Sequence, residues 1–530
     1  MEGFGLEAIR RLPLAEAVML LFRSITDDDL LSSIWDKHRG RCYDRVISFP
    51  VVVHLISDAL LISKSGRQSF QDNMQAGVLE ASVQAAYQKL ARLPIAVSEA
   101  FLERSTTVLH NAFPEWSAWK RPQSLQAFRI VIYDGKAIKK VARRLKPLRG
   151  TKGGLIGGRA LVALDWDTNM ATTMHGESDG EANEVKHTGS VVQRVNQLFP
   201  ELKLHMGDRA FCDLVQTRHF MASPGDHFLV RHHKKVKFHR DFSVDERVGV
   251  ITTGETFTES RGWLGSEKDP RRLYVRRIAL SCSDGKPVVL ITSLLDADKY
   301  AAQDLLWVYR QRWGIEQMFQ QVTEVFGLSH LIGTTPKATL FQFSFCMLLY
   351  NMMQVIRGCV AQAQSCEPTA ISSELMFRDV EDQLIAWDTL VPHETTIEYF
   401  EDARTMPQLR RRLATLLKDC WKDSWQASPT QSVHNSTHTN HQRTHTSVHR
   451  LLFGVPAKKK RTNLASKASQ AARKHNATRP LQQYIGDTCV LRLWPRPHFQ
   501  KSSHPDCSWE EALRASASPE RIKRDWQKSE

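Results

Sequence analysis

Phe128-Arg129-Ile130-Val131-Ile132-Tyr133-Asp134-Gly135 decides the fold of this 530-residue chain. Three β-branched residues in a row, closed by an aromatic, read as a short buried strand. The strand ends on Asp134-Gly135, a pair suited to a turn. That leaves a carboxylate at the carboxyl end of a strand, where the crevice of an α/β sheet receives its ligands.

Working outward, a glycine-rich turn (Gly153, Gly154, Gly157, Gly158) leads to a second strand, Arg159 to Asp165. Asp167-Thr168-Asn169 reads as a hairpin turn before a third strand near Met170 to Met174. Glu184 to Phe199 has helical spacing through Val185, Val192, Val195 and Leu198. Leu202 to Met206 is a fourth strand, ending on Gly207-Asp208-Arg209. Strands interrupted by a helix and followed by another predict an α/β fold: a mixed sheet with crossover connections, flanked by helices.

The flanks differ in texture. Residues 1–122 read as a helical domain, with apolar positions such as Leu14, Val18, Leu21 and Phe22 at helical steps. Thr26 before three aspartates suits an N-cap. Gln75 to Leu93 breaks at Gly77 into two helices, and the second would expose Gln84, Gln88, Lys89 and Arg92. Both a helix-turn-helix and an ordinary helical hairpin fit that pattern. The first part of the core occupies 123–225, a β-rich insertion 226–298, and the second part of the core 299–365. In this last part Ala301 to Phe326 reads as one long helix. Leu340 to Ile356 reads as a second, apolar but interrupted by Gln342, Ser344, Asn351 and Gln354, and so suits a core and not a membrane. A helical region, 366–427, precedes a low-complexity linker and basic tail, 428–530.

Charge is concentrated in that tail. The chain carries 72 basic and 57 acidic residues, a net of +15. The stretch between Asp423 and Asp487 contains no acidic residue and supplies ten of those charges, including Lys458, Lys459, Lys460 and Arg461. A balance of this sign favours a polyanionic partner. The histidines at 434, 438, 441, 445 and 449 are spaced for a metal, but the serine- and threonine-rich sequence around them also reads as a plain polar linker. Nine cysteines without a C-x-x-C pair read as free thiols of a reducing compartment. The apolar run near the N-terminus is short and interrupted by charge, so no secretory leader is expected.

Three carboxylates carry the chemistry. Asp134 and Asp208 stand at strand ends, and Glu316 lies in the long helix. Brought together they would repel unless neutralised, which two magnesium or manganese ions accomplish with oxygen ligands. Such a pair activates an attacking oxygen and stabilises a leaving oxygen at a phosphodiester. Tyr309, Arg312 and Glu316 fall on one polar face of the helix. Arg312 there could hold a DNA phosphate or simply pair with Glu316.

Tyr309-Arg-Gln-Arg312-Trp-Gly-Ile-Glu316 resembles the Tyr, Arg, Glu, Lys signature of bacterial insertion-sequence transposases of the insertion-sequence-four family, which have a ribonuclease-H-like core. The signature's fourth position falls on Thr323, with the uncharged Gln320 and Gln321 nearby. Ile130 to Gly135 and Met206 to Phe211 resemble the family's two aspartate blocks, and the interval between Asp208 and Glu316 leaves room for the family's β-rich insertion. The resemblance covers roughly 125–355. It implies a ribonuclease-H-like fold and a DNA-cutting, strand-transferring enzyme with two magnesium or manganese ions on Asp134, Asp208 and Glu316. Its partners would be double-stranded transposon ends and target DNA, handled by a homodimer in the bacterial cytoplasm at the nucleoid, with no membrane. Tyr309, Arg312, Arg209 and the tail's Lys458 to Arg461 would contact DNA. Trp263, in a turn of the insertion, would stack a flipped base or simply pack. A transposase-derived DNA-binding protein that no longer cuts and an unspecific nuclease are the rival readings.

The tail is expected to be disordered over Ser428 to His449, at most a marginal basic helix from about 450 to 480, and to attract DNA without reading sequence. Deleting residues 428–530 should flatten the dependence of log affinity on log salt by about 0.9 for each phosphate the tail neutralises, with the preference for transposon ends kept. A salt titration of binding to specific and random duplexes checks this.

Overall fold

The computed structural model describes residues 2–454 apart from 45, 64, 115–120, 282–286, 393–394, 397–398, 401–404 and 428–444. The N-terminal region is helical: α1 (Glu2–Arg10), α2 (Pro13–Ile25), α3 (Asp28–His38), α4 (Phe49–Leu61), α5 (Gly66–Gln75), α6 (Val83–Arg92) and α7 (Ile95–Ala112). The core follows as β1 (Arg129–Ile138), β2 (Gly154–Ile156), β3 (Gly158–Asp165), β4 (Met170–Glu177), α8 (Thr188–Leu198), β5 (Lys203–Gly207) and α9 (Leu214–Phe220). Then come β6 (His227–Arg231), β7 (Phe238–Arg240), β8 (Arg247–Val250), β9 (Thr256–Leu264), β10 (Leu273–Leu280) and β11 (Val288–Thr292). The chain continues through α10 (Ala302–Arg310), α11 (Trp313–Glu324), α12 (Pro336–Ala363), α13 (Ser373–Leu390) and α14 (Met406–Leu417) to β12 (His445–Ser447) and α15 (Val448–Phe453).

One ten-stranded sheet organises these elements, in the order β4-β3-β1-β5-β6-β11-β10-β9-β7, with β8 beside β9. The β1–β5 and β5–β6 pairs are parallel, and the other pairs are antiparallel. This is the mixed sheet flanked by helices that the sequence predicts. The β-rich stretch 226–298 extends the same sheet, because β6 pairs with the core strand β5 and β11 pairs with β6. β7 and β9 form where no strand signal is legible in the sequence. The β9 segment, Thr256–Leu264, carries Glu259 and Arg261 and lacks a clean apolar run. Buried Glu259 is tolerated because buried Arg276, on the neighbouring strand β10, pairs with it at 2.6 Å.

Alternation of side chains along β1 divides the two faces of the sheet. Val131 and Tyr133 join Val191, Val192, Val195 and Phe220 of α8 and α9 in one apolar cluster. The opposite face is covered by α7, α11 and α12. α12 is long and apolar enough to cross a membrane, but its apolar window is entirely buried inside the protein, so it is the core helix expected. Asn351 within it explains one polar interruption: its Oδ1 accepts from Ala171 N at 2.9 Å, and its Nδ2 donates to Thr106 Oγ1 and Ala171 O.

Several expectations need correction. Asp27, not Thr26, caps α3: its Oδ1 accepts from Leu30 N at 3.2 Å, while the Thr26 hydroxyl donates back to Phe22 O. β1 does not stop at Asp134 but runs to Ile138, because β3 stays paired with it as far as Gly158. What stops at Tyr133 is the pairing with β5. The single helix 301–326 is two, α10 and α11. Between them the N–H groups of Gln311, Arg312, Gly314 and Ile315 each reach back three residues instead of four. The two halves dock on different partners, α10 toward the end of β5 through Tyr309 and α11 along β1, and Gly314 weakens the helix between them.

The tail also departs from expectation. Lys458 to Arg461 and the histidines at 434, 438 and 441 lie outside the described residues, but 445–454 are ordered against the core. β12 pairs with β2 in parallel register, and Arg450 grips Asp179 through Nε at 2.9 Å and Nη2 at 2.7 Å. Gly180 N donates to Ser447 Oγ at 3.0 Å, and Val448 is fully buried. Composition predicts disorder through His449, because composition cannot register an acidic loop waiting far upstream in the chain. The Arg450 hydrogen bond, aided by backbone and hydroxyl donors, holds the Asp179 carboxyl at about 2. Arg450→Ala should therefore speed amide hydrogen exchange in 445–453 and around Gly180, while exchange in β1, β3 and β5 stays unchanged. A truncation meant to test the basic tail alone should begin after Gly454.

Candidate active site

Register brings the two aspartates side by side. In the parallel β1–β5 pair, Tyr133 lies opposite Gly207. Asp134 follows Tyr133 within β1, and Asp208 follows Gly207 as the cap of the short turn after β5, its Oδ1 accepting from Ala210 N at 2.7 Å. The glycines flanking them stand where side chains approach closely. A Cβ at Gly135 would meet Glu184 at 2.5 Å, and one at Gly207 would meet the Phe211 ring at 2.7 Å. Gly135 therefore faces Glu184, and alternation sends the Asp134 side chain to the face that α11 covers.

The break between α10 and α11 positions the rest. Three-residue steps eclipse side chains i and i+3, which stacks Arg312 over Tyr309. The Tyr309 hydroxyl donates to Gly207 O at 3.4 Å and so ties α10 to the residue before Asp208. Arg312 Nη2 donates to Glu316 Oε1 at 2.7 Å. The face carrying these residues is expected to be polar and open, but Tyr309 and Arg312 are 9% and 8% exposed. Both readings of Arg312 are thereby realised in part. It does pair with Glu316, yet its Nη1 is buried without a hydrogen-bond partner.

The charges of Asp208 and Glu316 both act on Asp134. Burial, and then the charges of Asp208 and Glu316, push the Asp134 carboxyl up to about 7, against the pull of Gly135 N–H and the Arg312 guanidinium. Burial also pushes the Tyr309 phenol up to about 12. Each carboxylate commits one oxygen: Asp134 Oδ1 to Gly135 N, Asp208 Oδ1 to Ala210 N, and Glu316 Oε1 to Arg312. The second oxygen of each makes no hydrogen bond among the described residues. Hard divalent cations take such donors. The arrangement does not close, however. Among the described residues no group of three or more His, Cys, Asp or Glu is placed to hold a metal ion.

The remaining candidates divide. Arg209 is exposed beside Asp208. Trp263 is not in a turn but within β9, opposite Tyr274, with the Arg272 guanidinium 4.2 Å from its ring centre. β9 is four strand positions from β5, a distance of about 19 Å at ordinary spacing, so the structure does not bring Trp263 to the acids. Trp313, next to Arg312, is the half-exposed aromatic at the site, at 52%. Of the helical-hairpin residues, Gln84 and Gln88 line an open cleft of 1290 Å³ with Tyr87, Lys140 and Arg144. Lys89 is engaged elsewhere, paired with Asp44 at 3.0 Å and set over the Trp35 ring. Lys136, two residues beyond Asp134, carries no signal of its own in the sequence. The alternation that places Asp134 beside α11 places it there too.

Residues 126–352 match the family model described as the transposase DDE domain. That stretch contains Asp134, Asp208 and Glu316, and the match supports a transposase function. A solved piggyBac transposase synaptic complex with hairpin DNA is 11% identical, over 78% of this chain and 88% of that chain, with a TM-score of 0.34. No curated protein matches the chain.

The Asp134 shift sets a pH dependence. An acid whose folded value is raised from 3.8 to about 7 favours the folded state while protonated. The contribution of Asp134 to stability therefore falls as pH rises from about 4 through 7. In chelator-treated buffer Asp134→Asn should be more stable than the unsubstituted protein at pH 8, by at most roughly 4 kcal/mol. The difference should vanish below pH 4. Urea unfolding at the two pH values checks it.

Proposed function

We propose that this protein is a DDE transposase that binds the terminal inverted repeats of its element, cuts there with divalent metal ions, and joins the new 3′-hydroxyl to target DNA. The observation that carries the reading is the placement of Asp134 and Asp208 just past the last paired residues of β1 and β5, with Glu316 held by Arg312 on the helix that covers that face, beside an arginine whose Nη1 is buried without a hydrogen-bond partner. Two bound magnesium or manganese ions would supply activation of the attacking oxygen and stabilisation of the leaving one. Asp134, Asp208 and Glu316 would hold them. Arg312 orients Glu316 through Nη2 and offers Nη1 to a backbone phosphate. Tyr309 fixes that arginine against the end of β5. Arg209, exposed beside Asp208, adds a contact to the DNA backbone.

The Asp-Gly, Gly-Asp-Arg and Tyr-x-x-Arg-x-x-x-Glu blocks further support membership of the bacterial insertion-sequence-four group. With it would go action as a homodimer at the nucleoid. One observation favours a second reading, a DNA-binding protein that no longer cuts: no three-ligand set is closed among the described residues.

Incubation with a duplex carrying the DNA that flanks the coding sequence, with and without magnesium, separates the two. The transposase reading expects magnesium-dependent cleavage. Asp134→Asn, Asp208→Asn and Glu316→Gln should each abolish cleavage and keep binding. Arg312→Ala should lower cleavage roughly 10- to 100-fold, the worth of one hydrogen bond to a charged group. Retention of binding without cleavage by the unsubstituted protein would favour the second reading.

A further inference from the structure

Helix α11 bears no cation one and two turns beyond Glu316. The residues there are Gln320, Gln321 and Thr323. Thr323 is turned inward on its own helix, its hydroxyl donating to Phe319 O at 2.6 Å. A second donor meets the same carbonyl from outside the helix. Lys136 Nζ, on β1, reaches Phe319 O at 3.3 Å and lies 5.4 Å from the centre of the Phe319 ring. Because both bonds end on one oxygen, the ammonium and the Thr323 hydroxyl are immediate neighbours. The strand thus delivers a positive charge to the place on α11 where the helix has none.

This lysine has no carboxylate within ion-pair distance among the described residues, although the charges of Asp134 and Glu324 act on it from further off and that of Lys139 opposes them. Lys89, Lys203 and Lys422 each sit within 4 Å of a carboxylate, on Asp44, Asp226 and Asp379. Lys136 makes no ion pair among the described residues, and Phe319 O is its one hydrogen-bond partner there. An ammonium has three donors, so two remain. Those donors of a half-buried ammonium face water or an incoming anion, and partial burial strengthens the pull on an anion relative to open solvent. Lys136 also leaves β1 on the same face as Asp134, two residues away, so an anion it binds lies beside the candidate site. Arg312, whose charge like that of Lys136 acts on Asp134, has an Nη1 buried without a hydrogen-bond partner. Two open cationic donors, from a strand and from the α10–α11 junction, suit an anion with several oxygens, as a DNA backbone phosphate has.

We propose that Lys136 is a phosphate-binding residue of this site, supplying from β1 the cation that α11 lacks at Thr323. The proposal rests on the DNA-cutting reading above.

The test uses the full chain and a duplex carrying the DNA that flanks the coding sequence, with binding measured in calcium across a salt series and cleavage measured in magnesium. Lys136→Gln should weaken binding roughly 10-fold, as expected for one charge-assisted hydrogen bond. It should also reduce the slope of log affinity against log salt by about 0.9, one phosphate contact. Lys136→Arg should retain the slope. The decisive variant is Lys136→Gln with Thr323→Lys, which returns a cation to the same carbonyl from the helix side. It should recover both slope and cleavage.

If Lys136 serves only to pack on Phe319, Lys136→Gln will lower the unfolding midpoint with the slope unchanged, and Thr323→Lys will rescue nothing. That result overturns the inference and leaves the DNA-cutting reading standing. Absence of both binding and cleavage by the unsubstituted protein would overturn the two together.

Discussion

The register of two parallel strands is the constraint on which this molecule depends. With Tyr133 held opposite Gly207, the next residue after each is an aspartate, and the charge of Asp208 acts on Asp134. Both positions are crowded from behind, by Glu184 against Gly135 and by Phe211 against Gly207. A slip of one residue would turn the aspartates to the α8 face and bury Val131 and Tyr133 on the wrong side. The apolar cluster around Tyr133 and Phe220 therefore does more than stabilise the sheet, because it fixes which side chains leave toward α11.

Burial and repulsion act in the same direction at Asp134, and Arg312 only partly opposes them. A carboxylate kept in that state is poised for a cation or a proton. The surrounding positive groups are arranged with restraint. Arg312 is engaged in part by Glu316, and Lys136 donates to the Phe319 carbonyl beside that residue's ring. Unused donors next to an acid under repulsion describe a site suited to charge of both signs, metal on the acids and phosphate on the bases. The match of this stretch to a transposase DDE domain agrees with that character.

The tail shows a different principle. A segment rich in serine, threonine and histidine cannot build a core of its own, yet residues 445–453 become ordered on partners elsewhere in the chain. β2, too short to be recognised in a glycine-rich turn, exists as a strand because β12 pairs with it. Asp179 and Gly180 receive Arg450 and Ser447. Neither side of that contact would be ordered by its own local sequence.

The sequence by itself determined the strands β1, β3, β4 and β5, the β-rich character of 226–298 and the burial of α12, and it singled out the three acids, because alternation, β-branching and strand-end turns are local signals. It pointed to Arg312 and Tyr309 by spacing alone. Tertiary structure decided the rest. It broke the expected long helix at Gln311 and Arg312, since Tyr309 docks on the end of β5 while α11 lies along β1. It put Trp263 inside β9 and four strand positions from β5, since strand order in space is not order in sequence. It joined the β-rich stretch to the core sheet and latched Arg450 onto Asp179. It also brought Lys136 to Phe319, on an element from the other half of the core. Local periodicity extends over a few residues, whereas partners so far apart meet only when hydrophobic burial has closed the intervening chain.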